Sequence, residues 1–342
     1  MSRIVVTGGA GFLGSHLCEF LTGRGDEVVC VDDLSTGRLD NIRHLLESLS
    51  FTFIQADVSA GLEVRGRIDA VAHLASPASP PDYHRRPLET LAVGSRGTEH
   101  ALKLAALHGA RFVLASTSEV YGDPAVHPQH EEYWGNVNPV GPRSVYDESK
   151  RFAEALTSAY RRTMDVNTGV VRIFNTYGPR MRPYDGRVVT SFITQALCQT
   201  PLTIYGDGKQ TRSFCYVDDL IHGIAAMIDS AEPGPVNLGN PEEYTVAELA
   251  DMVLAITGSS STIEYHRLPT DDPTRRRPDI AKARSVLGWS PRIDVELGLR
   301  NTVDWFRTRP EEVNAAAEAV AGEQFEGRSR TPVLSGHSSA LA

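Results

Sequence analysis

The sequence predicts an α/β fold, a doubly wound parallel sheet with a smaller C-terminal lobe, and three observations lead to it. Short β-branched runs alternate with amphipathic stretches from residue 3 to about residue 173. A glycine-rich turn joins the first run to the first amphipathic stretch, and an acid, Asp32, closes the second run. After residue 180 the alternation gives way to turns such as "GDGK", isolated helices and short strands.

Taken in order, the strands are "RIVVT" (3–7), "EVVCV" (27–31), "FTFIQ" (51–55), "DAVAHL" (69–74), "RFVLAS" (111–116) and "TGVVRIF" (168–174). Each is a short β-branched run with few charges, as strands covered on both faces require. Helices are expected near 12–24, 87–108 and 145–163, and further along near 217–229, 245–256 and 295–307. Residues 1–180 are expected to form a Rossmann-type domain. Residues 181–308 form a smaller lobe on the carboxyl ends of the strands, where such sheets bind ligands, with the chain crossing between the two. Residues 309–342, rich in Ala, Gly, Ser and Glu, read as a tail, helical at most in its first part and disordered beyond.

Composition narrows the function classes. A chain of 342 residues with 41% hydrophobic and 23% charged residues can bury a full core as a soluble globular protein. A formal net charge of −9 argues against nucleic acid as the main partner. No apolar stretch approaches the roughly 20 residues that span a bilayer, so no membrane role is expected. The first strand begins directly after Ser2 without a signal-peptide pattern, and Cys18, Cys30, Cys198 and Cys215 show no CxxC pair, so a reduced, cytoplasmic location is expected. Eleven histidines are scattered, with only His127 and His130 sharing a loop, and no metal site is expected.

"VTGGAGFLGSHL" places Gly8, Gly11 and Gly14 between a strand and a helix. Gly8 makes the tight turn, Gly11 lets the backbone approach a pyrophosphate, and Gly14 lets the helix lie close to the strand. Phe12 and Leu13 complete the turn. Asp32 would accept from the adenosine ribose and repel a 2′-phosphate, which favours NAD over NADP. Arg38, in "DDLSTGR" with Asp33, Leu34, Ser35, Thr36 and Gly37, argues the other way. Asp57, beside Val58, is positioned to accept from the adenine amine. Leu74 at the end of the fourth strand, Ala75 and Ser76 after it, Ala115 in the fifth and Thr176 after the sixth complete the expected cofactor site. A glycine triplet alone is a weak signal; strand, helix and acid around it make it specific.

"YDESK" sets Tyr146 and Lys150 on one helix face. A tyrosine with a pKa near 10 is a poor base at neutral pH. A lysine ammonium and a positive nicotinamide both favour the phenolate, so Tyr146 could take a proton from a sugar hydroxyl as hydride leaves. YxxxK occurs by chance in many helices, and its weight here comes from the glycine loop upstream.

Glycines 8, 11 and 14, "HLASPAS" (73–79), "STSEVYG" (116–122) and the Tyr146/Lys150 pair resemble the extended short-chain dehydrogenase/reductases that modify nucleotide sugars. Within them, "STSEVYGDPAVHPQHEEYWGNVNPVGPRSVYDESKR", "RIFNTYGPRM", "LTIYGDGKQTRSFCYVDDL" and "DDPTRRRPDIAKARSVLGW" resemble the branch that decarboxylates UDP-glucuronate. The resemblance spans about residues 2–307. It implies Thr117 as the hydroxyl on the reacting sugar oxygen, Tyr146 as acid/base, Lys150 as its support, and Glu119 and Arg276 as further active-site residues. It also implies Asn175 and Arg212 as UDP contacts. Tyr205 offers a face for uracil, Arg187 adds charge, and Ser118, Val189 and Gln210 complete the expected substrate site. Three consecutive arginines, 275–277, ordinarily mark a solvated turn; the surrounding match singles out Arg276. Where the family has Asn in "TN(T/V)xGT", this chain has Gly94 in "VGSRGT", a difference expected to act on helix geometry or proton relay.

Related sugar dehydratases carry Thr-Asp-Glu where this chain has Thr117-Ser118-Glu119. Expelling a C6 hydroxide needs an acid, and a serine hydroxyl is a poor one, whereas loss of carbon dioxide from a 4-keto acid needs none. The resemblance therefore implies conversion of UDP-glucuronate to UDP-xylose, with NAD oxidising C4 and then reducing it. Arg276, Glu119 through water and Tyr146 all stand as donors of the C5 proton. A UDP-glucuronate 4-epimerase and a silent NAD-sensing protein are the alternative readings, and a homodimer is implied as the assembly.

Overall fold

The computed structural model describes residues 1–267 and 275–329. The first half runs β1 (Arg3–Thr7), α1 (Phe12–Gly23), β2 (Glu27–Asp32), β3 (Phe51–Gln55), β4 (Ala70–His73), α2 (Pro80–Arg85), α3 (Pro87–Ala92) and α4 (Thr98–His108). It continues through β5 (Arg111–Thr117), α5 (Ser144–Met164) and β6 (Thr168–Ile173). Four irregular turns interrupt it: 3₁₀ turns at Leu39–Asn41 and Arg43–Leu45 between β2 and β3, a π-turn at Val93–Gly97 between α3 and α4, and a 3₁₀ turn at Ser118–Tyr121 after β5.

The second half opens with β7 (Thr176–Tyr177), α6 (Val188–Leu197), β8 (Leu202–Tyr205), β9 (Thr211–Ser213), β10 (Cys215–Tyr216) and α7 (Val217–Asp229). After these come β11 (Val236–Leu238), β12 (Glu243–Thr245), α8 (Val246–Thr257), β13 (Ile263–His266) and β14 (Arg275–Arg276). The helices α9 (Ala281–Leu287), α10 (Val295–Arg307) and α11 (Pro310–Ser329) complete it.

The doubly wound sheet is present, with seven parallel strands in the order β11-β6-β5-β4-β1-β2-β3. Its seventh strand comes from the second half, where Val236–Leu238 pairs with Val171–Ile173. Every residue of β5 is buried, which explains its unbroken apolar run. Strand order reverses between β1 and β4, whose last paired residues are Thr7 and His73, and ligands of such sheets bind at that crevice. The first turn after β5 therefore opens onto it.

The smaller lobe is built on short pairings. β8 pairs β13, and β9 lies between β12 and β14, which sets Arg212 beside Arg276 in register. Thr245 and Glu248 close a capping box at the start of α8, and Asp294 caps α10. Among the described residues no helix is long and apolar enough to cross a membrane.

The expected tail is helical from Pro310 to Ser329, and its first turns belong to the body. Val313 is 3% exposed and Ala316 6%, while Cys198 Sγ faces Val313 O. The sequence view misses this because Val313 is the one large apolar residue in the first two turns, and the alanines around it mark no face. Residues 330–342, where disorder is expected, lie outside the described residues. Ending the chain at Arg309 is expected to remove about 2 kcal/mol of apolar burial and to lower Tm by several degrees in a thermal scan; an unchanged Tm would show that α11 contributes nothing.

Candidate active site

The glycine loop forms a cradle with hard walls. Gly8 has φ +72 and donates its N–H to Val31 O at 2.8 Å, and a Cβ there would lie 2.7 Å from Ala75 N. A Cβ at Gly14 would lie 2.0 Å from Gly8 O, so α1 can approach β1 only without a side chain. Gly11 meets nothing nearer than Gly8 O at 3.2 Å and lines a cavity of about 900 Å³ that runs along the carboxyl ends of the strands. This arrangement fits a dinucleotide, with pyrophosphate over Gly11 at the start of α1.

Asp32 is buried, and burial raises its pKa. Its two carboxylate oxygens accept from Ala10 N at 2.9 Å and Leu34 N at 2.8 Å, so it holds the loop while keeping lone pairs for a ribose. Arg38 is paired with Glu312 of α11. Asp57 accepts from Ser59 and lines the cavity with Val58, Asp33, Ser35 and Thr36. Leu34 and Gly37 stand off the cavity wall: Leu34 packs on the core, and Gly37 crowds the Asp32 carboxylate, where a Cβ would lie 2.7 Å from Oδ1. Phe12, Leu13, Leu74, Ala75, Ser76, Ala115 and Thr176 all line the cavity.

At the end of β5 the chemical groups converge. Thr117 shares a hydrogen bond with the Tyr146 phenol, and its Oγ1 accepts from Glu119 N at 3.2 Å. Tyr146 stacks on Tyr83 with ring centroids 5.3 Å apart and planes 10° from parallel. Burial pushes the Tyr146 phenol well up, and the Arg187 guanidinium and the Thr117 bond pull it partly back. Lys150 lies on the same helix face as Tyr146, its Nζ donating to Ala115 O at 2.9 Å and sitting 5.9 Å from the Tyr146 ring centroid. Burial brings Lys150 itself down to about 8. Arg187, from outside the YxxxK motif, is a further cation that pulls the Tyr146 phenol down.

Glu119 is clamped. Arg276 pairs with its Oε1, Arg143 Nη2 lies 2.9 Å from its Oε2, and Arg276 also donates to Gly122 O at 2.9 Å. Burial alone would raise the Glu119 carboxyl; Arg276 and Arg143 outweigh it and hold the group at about 2. It is therefore an anion throughout the working range, a poor base with no proton of its own to give. Next to it Asp147 is driven up to about 7 by burial and the Glu119 charge, and its Oδ1 has no hydrogen-bond partner among the described residues. Arg143, Asp147 and Tyr83 are absent from the sequence-based set. Arg143 lies one turn before Tyr146, which is the only local signal, and nothing near Tyr83 marks it.

The remaining candidates line the far end. Arg187 donates to Asp185 at 2.9 Å and to Ala78 O at 2.7 Å. Asn175, Ser118, Val189, Gln210 and Arg212 line the cavity, and Tyr205, 45% exposed, stands at its rim with Gln210 Nε2 donating to its carbonyl. Of the three arginines, Arg276 alone is buried; Arg275 is exposed and Arg277 lies 3.5 Å from Glu243. Among the described residues no three His, Cys, Asp or Glu side chains converge as a metal site.

Residues 5–302 match the protein family described as GDP-mannose 4,6 dehydratase. UDP-glucuronic acid decarboxylase 1 of Arabidopsis thaliana is 52% identical over 307 residues, covering 90% of this chain and 70% of that protein. UDP-glucuronic acid decarboxylase 1 of Xenopus tropicalis is 50% identical over 305 residues, covering 89% and 72%. Among solved structures, UDP-glucuronic acid 4-epimerase from Bacillus cereus, in complex with UDP-glucuronic acid and NAD, superposes with a TM-score of 0.78 at 30% identity, covering 90% of this chain and 99% of the other.

Proposed function

Since this chain belongs to the UDP-glucuronic acid decarboxylases, on a fold shared with the GDP-mannose 4,6 dehydratase family, we propose that it converts UDP-glucuronate to UDP-xylose and carbon dioxide. The observation that carries the reading is the Arg276–Glu119–Arg143 group, Arg276 buried and the other two half-buried, beside Thr117 and Tyr146, with Ser118 where a dehydratase would need an acid. NAD, when bound, supplies the hydride acceptor for C4 and the hydride donor that restores it. Gly8, Gly11, Gly14 and Asp32 would hold it.

Tyr146 takes the C4 hydroxyl proton, and the Thr117 hydrogen bond stabilises the phenolate. The C6 carboxylate, now β to a ketone, leaves as carbon dioxide, and its electron pair becomes an enolate held by Tyr146 and Thr117. One proton must then reach C5. A guanidinium does not release its proton in proteins, and the Tyr146 proton is needed again at the C4 oxygen. We assign the C5 proton to a water oriented by Glu119, with Asp147 beside it as the group able to resupply a proton near neutral pH.

Residues 1–180 are assigned to NAD and 181–308 to the nucleotide sugar, the chain crossing back through α7 and β11. Arg187, Arg212 and Asn175 are assigned to UDP, with Tyr205 against uracil. We assign a homodimer formed through α3 and α5, which pack together and leave Leu88, Leu91 and Phe152 exposed. A cytoplasmic location accords with four unpaired cysteines.

Pure protein given UDP-glucuronate in deuterium oxide is expected to release carbon dioxide and a UDP-pentose carrying one deuterium at C5 and none at C4. A UDP-hexuronate epimer without carbon dioxide would make the protein an epimerase, like its structural neighbour. Solvent deuterium at C4, or an accumulated 4-keto pentose, would break the closed redox cycle. No product at all would leave a silent NAD-binding protein.

A further inference from the structure

We propose that Gly94 and Ser149 are a matched pair of positioning residues that fixes where the catalytic turn of α5 lies; this rests on the decarboxylase reading for its activity readout. The π-turn at Val93–Gly97 holds Gly94 buried against α5. A Cβ at Gly94 would lie 2.6 Å from Ser149 Cβ, 2.9 Å from Ser149 O and 3.1 Å from its carbonyl carbon. The π-turn backbone therefore meets Ser149 through both its Cβ and its carbonyl, and the Cβ, the nearest of these atoms, takes the first of the volume that a side chain at 94 would need.

What this contact sets is functional. Ser149 follows Tyr146 by one turn, and its Oγ donates to Tyr146 O at 2.8 Å. Lys150 is the next residue, fixed by its bond to Ala115 O. A shift of α5 away from the π-turn would move the phenol relative to Thr117 and the ammonium relative to β5 together. The other glycine of the turn, Gly97, lies against the nucleotide wall, where a Cβ would come 3.0 Å from Val58 Cγ2, and Val93 itself lines the cavity. One wide turn thus sets α5 against the wall that faces the adenosine end. π-Turns cost helix geometry and recur where a functional site needs them.

The test is a double-mutant cycle of Gly94→Ala and Ser149→Gly on the NAD-loaded protein, reading Tm, kcat, KM and the pH profile of kcat. Gly94→Ala is expected to lower kcat by about 10- to 100-fold, with KM little changed and the pH profile displaced. Adding Ser149→Gly, which by itself weakens a helix, is expected to recover about tenfold in kcat and to raise Tm above that of Gly94→Ala. Ser149→Ala, which keeps the Cβ, should give no recovery. Recovery against the helix propensity of glycine cannot come from general stabilisation. If Gly94→Ala does not fold, restored folding in the double variant supports the pair, and failure of both overturns it. Additive effects, or a folded Gly94→Ala with the parental kcat and pH profile, also overturn it. An inactive parent would refute the decarboxylase reading alone, since coupling in Tm is read without substrate.

Discussion

Tyr146→Phe is expected to lower kcat by about 10²- to 10⁴-fold, the range contributed by a positioned general acid–base, while NAD affinity stays near the parental value in a calorimetric titration. The substitution removes one oxygen and keeps the ring, so the stack on Tyr83 and the packing of α5 survive. What is lost is the hydrogen bond with Thr117 and the oxygen to which we assign proton exchange with C4. Because burial raises the phenol, the parental kcat should rise with pH on its acid side, and that limb should vanish in the variant. Activity within about threefold of the parent would remove Tyr146 from the mechanism.

The second large effect is expected at Arg276. Arg276→Ala should lower kcat by about 10²- to 10³-fold, as loss of a preorganised charge contact does, and leave UDP affinity within a few-fold. Arg276 is 2% exposed and is spent on Glu119 and Gly122 O, whereas the UDP assignment falls on Arg187 and Arg212. Its removal leaves Glu119 with Arg143 alone, so the Glu119 carboxyl moves up from about 2 and its protonation reaches further into the acid range. Arg276→Lys restores a charge but not the fork that reaches two acceptors, so it should recover little. A loss of UDP affinity equal to the loss of kcat would reassign Arg276 to the nucleotide.

Much of this site was written locally. The strand–glycine–helix turn and YxxxK each lie within one stretch of chain, and their residues line one cavity. The clamp on Glu119 was less legible, because Arg276 is 157 residues away and Arg143 carries no motif of its own. The partner of Arg38, Glu312, is 274 residues distant on a helix without a periodic stripe. Leu34 and Gly37 read as cofactor contacts because they share a loop with Asp32, yet the loop turns them inward or sideways. In the fold, the first six strands declare themselves by β-branched runs. Val236–Leu238 has three residues, too few for any period, and only its pairing with β6 makes it a strand.

That late strand has a consequence for how the chain is made. The sheet cannot be completed in the order of synthesis, since β6 keeps an unsatisfied edge until Leu238 has emerged from the ribosome. Through that interval the nascent chain carries a nearly finished sheet with one open, hydrophobic border, the condition in which intermediates stick to one another. A fragment ending at residue 180 would remain in that state, so the first half of the chain cannot finish folding without the second.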